Sequence, residues 1–146
     1  MHSFTSFAQF AAHLRQIERT APEVEHRAMD EASKSFLDAV RAIPGVYQTD
    51  WAALEAATQA DRVRRGYSPD DPLLRSGELR DSYKRSVLNN RHAVVGSDDP
   101  RAPWFENGTR RMPPRPVIGT AEAQHGKRIA DGIGRHVHHH IIGRSF

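Results

Sequence analysis

The sequence contains no cysteine and no long apolar run, and each absence excludes a class of protein. Among its 146 residues, the lack of cysteine excludes disulfides, thiolate metal sites and cysteine nucleophiles, and it fits a reducing compartment. No apolar run approaches the roughly 18–20 residues of a transmembrane helix, so we expect no membrane partner. The first four residues also lack the basic segment that opens a signal peptide. We therefore expect a chain without a signal peptide.

Common catalytic and nucleotide-binding motifs are also missing. The chain has no glycine-rich phosphate loop, no G-x-S-x-G and no H-E-x-x-H. Two acidic pairs, Asp70-Asp71 and Asp98-Asp99, adjoin prolines and are typical of turns rather than of catalytic carboxylates. We therefore expect no enzymatic activity and no cofactor.

Hydrophobic residues are scarce, and this limits the core that the chain can build. They make up 38% of the sequence, below the usual ~45–50%. The length corresponds to one domain, spanning 1–146. A polar chain of this size favours burial through association with copies of itself or with partners.

Positive charge is concentrated at the C-terminal end of the chain. Residues 108–146 contain seven Lys or Arg, two Asp or Glu, and five of the nine histidines. A basic end of this kind is either a solvated surface or a contact for an acidic protein, an anionic membrane or nucleic acid. No aromatic stacking residue accompanies the arginines between 110 and 115, so we expect at most sequence-independent contact with DNA.

The histidine-rich end, residues 136–146, is the sharpest candidate for chemistry. On a helix His136 and His140 share a face, whereas in an extended chain His136, His138 and His140 do. Imidazoles are common ligands of zinc, copper and nickel, so these three are candidate metal ligands. No third ligand stands at a recognisable spacing. The alternatives are adventitious metal binding by a tail and a packing edge in an oligomer.

Apolar spacing in the first part of the chain predicts two helices, over residues 4–17 and from Pro22 to about Ile43. Thr20 to Glu23 is typical of a helix start, and Pro44-Gly45 of a stop. Both apolar faces are typical of core or subunit packing. Asp50 is a candidate cap for a further helix over 51–65, ended by Gly66.

The second half predicts a small, mostly antiparallel sheet among short helices. Period-two alternation over 83–96, with Asn89-Asn90 as the turn, indicates a β-hairpin. Residues 102–108 predict one helical turn with a glycine exit. The segment 109–118 holds three prolines and three arginines and predicts an extended arm or a strand edge. A final helix is predicted from Thr120. The predicted fold class is therefore α+β, with helices at both termini.

Three segments, in this order, resemble the head–tail connector, or neck and tail-completion, proteins of long-tailed bacteriophages. Residues 51–66 resemble a pattern of Trp, Leu, Thr, a basic run and Gly. Residues 72–82, PLLRSGELRDS, resemble a family core in which Thr is usual at the position of Ser76. Residues 95–116, which include WFENGT and MPPRP, resemble a third pattern of the family. The family includes tail-component proteins of lambda-like phages and virion morphogenesis proteins of Mu-like phages. The glycine- and histidine-rich C-terminus departs from the regular final helix of the family.

The resemblance implies structural or interface roles for residues of these segments. They are Ser76, Gly77, Leu79, Trp104, Phe105, Glu106, Gly108, Arg110, Arg111, Pro113 and Arg115. We expect Ser76 to cap the short helix, Gly77 to allow the tight turn into it, and Leu79 to anchor it. We expect Trp104 and Phe105 to be the large apolar side chains buried in the core.

Glu106 and the proline-rich segment carry the remaining expectations. We expect Glu106 to pair with an arginine between 110 and 115, in the same subunit or a neighbour. Gly108 would release the chain into an arm stiffened by proline, which loses little entropy on docking. That arm either contacts a neighbouring subunit or covers its own sheet edge.

The function implied by the resemblance is structural rather than catalytic. A homo-oligomeric ring would join or seal head and tail around the DNA channel of a virion, after synthesis in the host cytoplasm. Its partners would be copies of itself, other neck or tail proteins, and DNA passing through the channel without sequence preference. Two alternatives remain open: a tail terminator that caps the tail tube, and a histidine-dependent metal-binding or DNA-processing protein.

Overall fold

The fold is α+β, as the sequence predicts, with a long helix at each end of a central hairpin. A computed structural model describes residues 4–143, so the first three residues and the end of the histidine-rich segment lie outside it. The elements, in order, are α1 (Phe7–Ala42), α2 (Ala56–Arg64), α3 (Glu78–Ser82), β1 (Tyr83–Asn89), β2 (His92–Ser97), α4 (Ala102–Asn107) and α5 (Ile118–Ile141).

The first helix is continuous, so the prediction of two N-terminal helices is wrong. The 36-residue α1 runs through Pro22 without a break. It begins at Ser6, whose hydroxyl accepts a hydrogen bond from the amide of Gln9 at 3.3 Å. A proline inside a helix removes one backbone hydrogen bond and typically costs about 3 kcal/mol. Local signals for a helix start were therefore overridden by packing.

The packing partner of α1 is α5, which lies along it. At the turn before the proline, the hydroxyl of Thr20 donates to the carbonyl of Gln16 at 2.8 Å. The ring Nε2 of His140, from α5, lies 3.0 Å from the carbonyl oxygen of Ile17. α5 therefore packs against α1 within a few residues of the proline.

The hydrophobic core lies between the second half of α1 and the short elements that follow it. Its buried members are Leu37, Ala39, Val40, Ile43, Trp51, Leu79, Tyr83, Ala102, Val117 and Ala121. The first residue of β1, Tyr83, is fully buried there. The core therefore joins α1, α3, β1 and the start of α5.

The predicted hairpin is confirmed, and it forms a two-stranded antiparallel sheet. Tyr83 pairs with Ser97 at one end and Asn89 with His92 at the other. Arg85 of β1 donates to the carboxylate of Asp30 on α1 at 2.6 Å, which fixes the hairpin against the long helix.

The helix predicted over 51–65 is shorter, because the residues before it serve other contacts. α2 begins at Ala56, and Asp50 is not its cap. Trp51 is buried in the core outside the helix. The Leu54 amide donates to the Tyr47 hydroxyl at 3.0 Å, so the backbone of this segment is already engaged.

The final helix is longer than predicted, since α5 begins at Ile118 rather than at Thr120. It accommodates four glycines, and a glycine in a helix interior costs roughly 1 kcal/mol of helix stability relative to alanine. Over residues 4–143, no helix combines the length and the apolar character that crossing a membrane requires.

Replacing Tyr83 with phenylalanine should stabilise the fold. The hydroxyl of Tyr83 is buried and has no hydrogen-bond partner among the described residues. An unsatisfied buried polar group costs about 1–3 kcal/mol, so Tyr83→Phe should raise the free energy of unfolding by about 1 kcal/mol near neutral pH. Urea denaturation measures this. A loss of stability would show that the hydroxyl is satisfied in solution.

The wild-type protein and Tyr83→Phe should differ more strongly in their free energy of unfolding at high pH. Burial raises the pKa of Tyr83 to about 12, above its usual 10, so the fold favours the neutral phenol. The stabilisation from this preference is complete below pH 10 and is lost as the pH rises through about 12. The stability advantage of Tyr83→Phe should therefore grow across this window. A pH-independent difference would contradict the assigned burial.

Candidate functional site

One groove gathers the three segments that carry the family resemblance. It encloses about 520 Å³, and its walls come from residues 52–62, 73–79 and 101–115. The groove thus combines the segment before and within α2, the loop leading into α3, and the α4 region with its proline-rich arm. We take it as the candidate functional site.

Arg62 holds the first wall of the groove to the second. It lies on α2 and is only 7% exposed. Its Nη1 donates to the carbonyl oxygen of Asp71 at 2.7 Å and to that of Leu74 at 3.1 Å. Arg62 belongs to the basic run of residues 51–66, and nothing local in the sequence marks an arginine that will bind distant carbonyls.

Arg115 holds the third wall to the first. It is 8% exposed, and its Nη2 donates to the carbonyl oxygen of Ala52 at 2.7 Å. Its backbone amide donates to the carbonyl of Phe105 at 2.7 Å, which folds the arm back onto α4. The Nε of Arg115 is buried without a hydrogen-bond partner in the described part of the chain.

The predicted arm is folded rather than extended. Its tip turns between Thr109 and Met112, which form an isolated antiparallel bridge. Arg111 and Pro113 line the groove, whereas Arg110 is exposed and lies outside it. The arm therefore covers its own subunit, and contact with a neighbouring subunit stays a prediction.

Glu106 does not pair with an arginine of its own arm within residues 4–143, so that part of the prediction is wrong. Pairing with an arginine of a neighbouring subunit stays a prediction. The Oε1 of Glu106 accepts hydrogen bonds from the amides of Val117, at 2.8 Å, and Ile118, at 2.6 Å. These amides open α5, where the first N–H groups have no partner within the helix. A carboxylate is favourable at that positive end, so Glu106 caps the final helix instead.

The prediction that Trp104 plugs the core is also wrong. Its side chain is 55% exposed, while Ala102 is buried and Phe105 packs partly against the core. One face of the six-residue α4 points inward, with Ala102 and Phe105 three positions apart on it, and Trp104 lies on the outer face. Tyr83 and Trp51 supply the large core aromatics instead.

The start of α3 is close to the predicted arrangement. Gly77 is the residue before the helix and has a φ of 89°, in the left-handed region that favours glycine. The Ser76 hydroxyl accepts a weak hydrogen bond from the amide of Glu78 at 3.4 Å. Leu79 is buried in the core, where it anchors the helix.

The groove carries an excess of positive charge. Five arginines and two glutamates line it. Arg75 pairs with Asp61 at 3.4 Å, and Arg101 with Asp99 at 2.6 Å. The hydrogen bond from Arg101 holds the pKa of Asp99 below its usual value. The other three lining arginines form no salt bridge within residues 4–143; they are Arg62, Arg111 and Arg115.

Two of the three candidate metal ligands, His136 and His140, face the long helix α1. His136 and His140 share a face of α5, as predicted for a helix. The Nε2 of His136 lies 2.9 Å from a carboxylate oxygen of Glu31, and His140 contacts the carbonyl of Ile17. His138 is exposed on another face. In residues 4–143, no group of three or more candidate ligands is arranged to hold a metal ion.

Comparisons with protein-family models, curated proteins and solved structures find no match for this chain. The connector resemblance therefore depends on the residue patterns within 51–118 and on how the fold arranges them.

Gly108→Ala should destabilise the arm more than the same change at Gly66. Both glycines have positive φ, 74° and 77°, so alanine is strained at both positions, and the ψ of 179° at Gly108 lies in a region essentially restricted to glycine. A Cβ at Gly108 would also lie 2.8 Å from the backbone nitrogen of Pro114, whereas at Gly66 it meets nothing within 4 Å. We expect an additional loss of about 1–3 kcal/mol at Gly108 in urea denaturation. Equal losses would contradict the close arm packing.

Proposed function

We propose that this chain is a structural protein of the phage head–tail junction. It acts as a neck or tail-completion protein, without catalysis, in a homo-oligomeric ring around the DNA channel. Its place would be at the junction or at the top of the tail. The observation that carries the proposal is the meeting of all three resemblance segments at one groove.

That meeting is informative because it brings together the first and third segments, which are far apart in sequence. Arg115 and Ala52 are 63 positions apart, and their hydrogen bond joins the third segment to the first. Arg62 joins the first to the second through Asp71 and Leu74. Segments that matched a family pattern by chance would have no reason to share one surface. Here each contributes a wall to the same groove.

Self-association is supported by the first turns of α1. Phe7 is 84% exposed, and Phe10 and Leu14 continue the same exposed stripe at spacings of three and four. α5 ends near the level of Ile17, where His140 contacts α1. At 1.5 Å per residue, α1 extends about 15 Å beyond that contact. A projecting apolar stripe of this kind is typical of a surface that binds another protein.

Electron microscopy of phage particles lacking this chain tests the proposal. We expect DNA-filled heads and finished tails that are separate, because the protein joining them is missing. Supplying the wild-type gene in trans should restore joined, infectious particles and serves as the control.

Two other phenotypes would contradict the joining role. Tails of uncontrolled length would identify a tail terminator, a protein that caps the tail tube. Normal, infectious virions would refute the structural role and would favour the alternative of a histidine-dependent metal-binding or DNA-processing protein.

The projecting stripe should be required for assembly but not for folding. Phe7→Asp with Leu14→Asp places two charges on the exposed apolar face, and burying these in an interface is unfavourable. Ala12→Asp with Gln16→Asp adds the same charge to exposed positions on the opposite face of α1. In trans complementation, the first variant should lower the titre of infectious particles at least tenfold and the second should not. Equal titres would contradict an interface on this face.

A further inference from the structure

The charge of the groove is not balanced from within the chain. Arg62, Arg111 and Arg115 all line it, and none makes a salt bridge within residues 4–143. The two lining glutamates pair with none of these three cations, because Glu78 lies 3.5 Å from Arg101 and Glu55 forms no salt bridge within residues 4–143. A concave surface with unpaired cations attracts an anionic ligand.

Two of these arginines, Arg62 and Arg115, are more than nine-tenths buried, which makes the lack of an anionic partner more unfavourable. Burying a charge is unfavourable unless it is paired or fully hydrogen-bonded. Within residues 4–143, the side chains of Arg62 and Arg115 donate to backbone carbonyls, which carry no net charge. Arg115 also keeps a buried Nε without a partner in the described chain. An incoming carboxylate near these guanidinium groups would supply the missing negative charge.

Apolar side chains also form part of the groove. Its walls include Leu54, Leu73, Phe105, Met112 and Pro113, and its volume of about 520 Å³ is within the ~300–1,000 Å³ of ligand-binding clefts. A ligand that fits this surface combines carboxylates with apolar side chains.

We propose that the groove binds an acidic, extended peptide segment of a partner protein, with a carboxylate near Arg111 and apolar side chains against Leu54 and Met112. This deepens the proposed function, on which it rests for the identity of the partner as a neighbouring neck or tail protein. The binding chemistry itself depends only on the groove.

A peptide fits the groove better than nucleic acid does. Binding to single-stranded nucleic acid uses a basic track together with aromatic side chains on which bases stack. Phe105, half-buried against the core, is the single aromatic residue lining the groove in residues 4–143. Glu55 and Glu78 would also repel a continuous phosphate backbone, whereas a peptide can place its few carboxylates away from them.

Fluorescence anisotropy with the full chain tests the proposal. The probe is a labelled peptide with blocked ends that alternates Glu with Leu and Phe. The comparison probes are the same peptide with Lys in place of Glu, and a short mixed-sequence DNA. We expect saturable binding of the acidic peptide alone.

Adjacent arginines provide a matched pair of variants. Arg111→Ala removes a cation that lines the groove, whereas Arg110→Ala removes one that lies outside it. Both residues are exposed, so both variants should fold, and both change the net charge equally. Arg111→Ala should weaken binding about tenfold or more, because a hydrogen bond between charged groups is lost. Arg110→Ala should change the affinity less than about threefold, because the charge that it removes lies outside the groove and is screened by salt.

Four results would overturn the proposal. They are no binding of the acidic peptide, equal binding of the lysine peptide, equal weakening by both variants, and binding of DNA in place of the peptide. If the acidic peptide does not bind but the phage particles show separate heads and tails, only the peptide site is refuted. Peptide binding with normal virions refutes only the head–tail role.

Discussion

Buried guanidinium groups bonded to backbone carbonyls hold the central part of this molecule together. Arg62 fixes the loop before α3, and Arg115 fixes the segment before α2. Both segments are irregular, so their carbonyls have no helix or strand partner and require donors from elsewhere. An arginine can donate to several such groups at once. The groove exists because these two side chains hold three irregular segments in one place.

The same arrangement separates the two proposed contact surfaces. The groove and the core lie with the second half of α1, whereas its apolar first turns project at the other end of a helix about 54 Å long. In a ring, the projecting stripe would contact like subunits and the groove a different protein. Cations left unpaired in the groove are unfavourable in the free subunit, and that makes them available to a partner.

Patterns among neighbouring residues predicted the hairpin and the end of α4. The alternation over 83–96 and the glycine exit at Gly108 correspond to observed structure. The start signal at Thr20 to Glu23 failed, because packing of α5 against α1 outweighs the effect of Pro22. Glu106 and Trp104 were misassigned because their partners depend on where α5 begins and which face of α4 turns inward. The roles of Arg62 and Arg115 are set by carbonyls 9 and 63 positions away, which no sequence spacing marks.

Cryo-electron microscopy of the intact head–tail junction tests the central claim most directly. The account predicts repeated copies of this fold around the DNA channel, recognisable by the 36-residue α1. It also predicts that α1 contacts neighbouring copies through its first turns and that a segment of another protein occupies the groove. A junction whose density is fully explained by other chains would contradict the account.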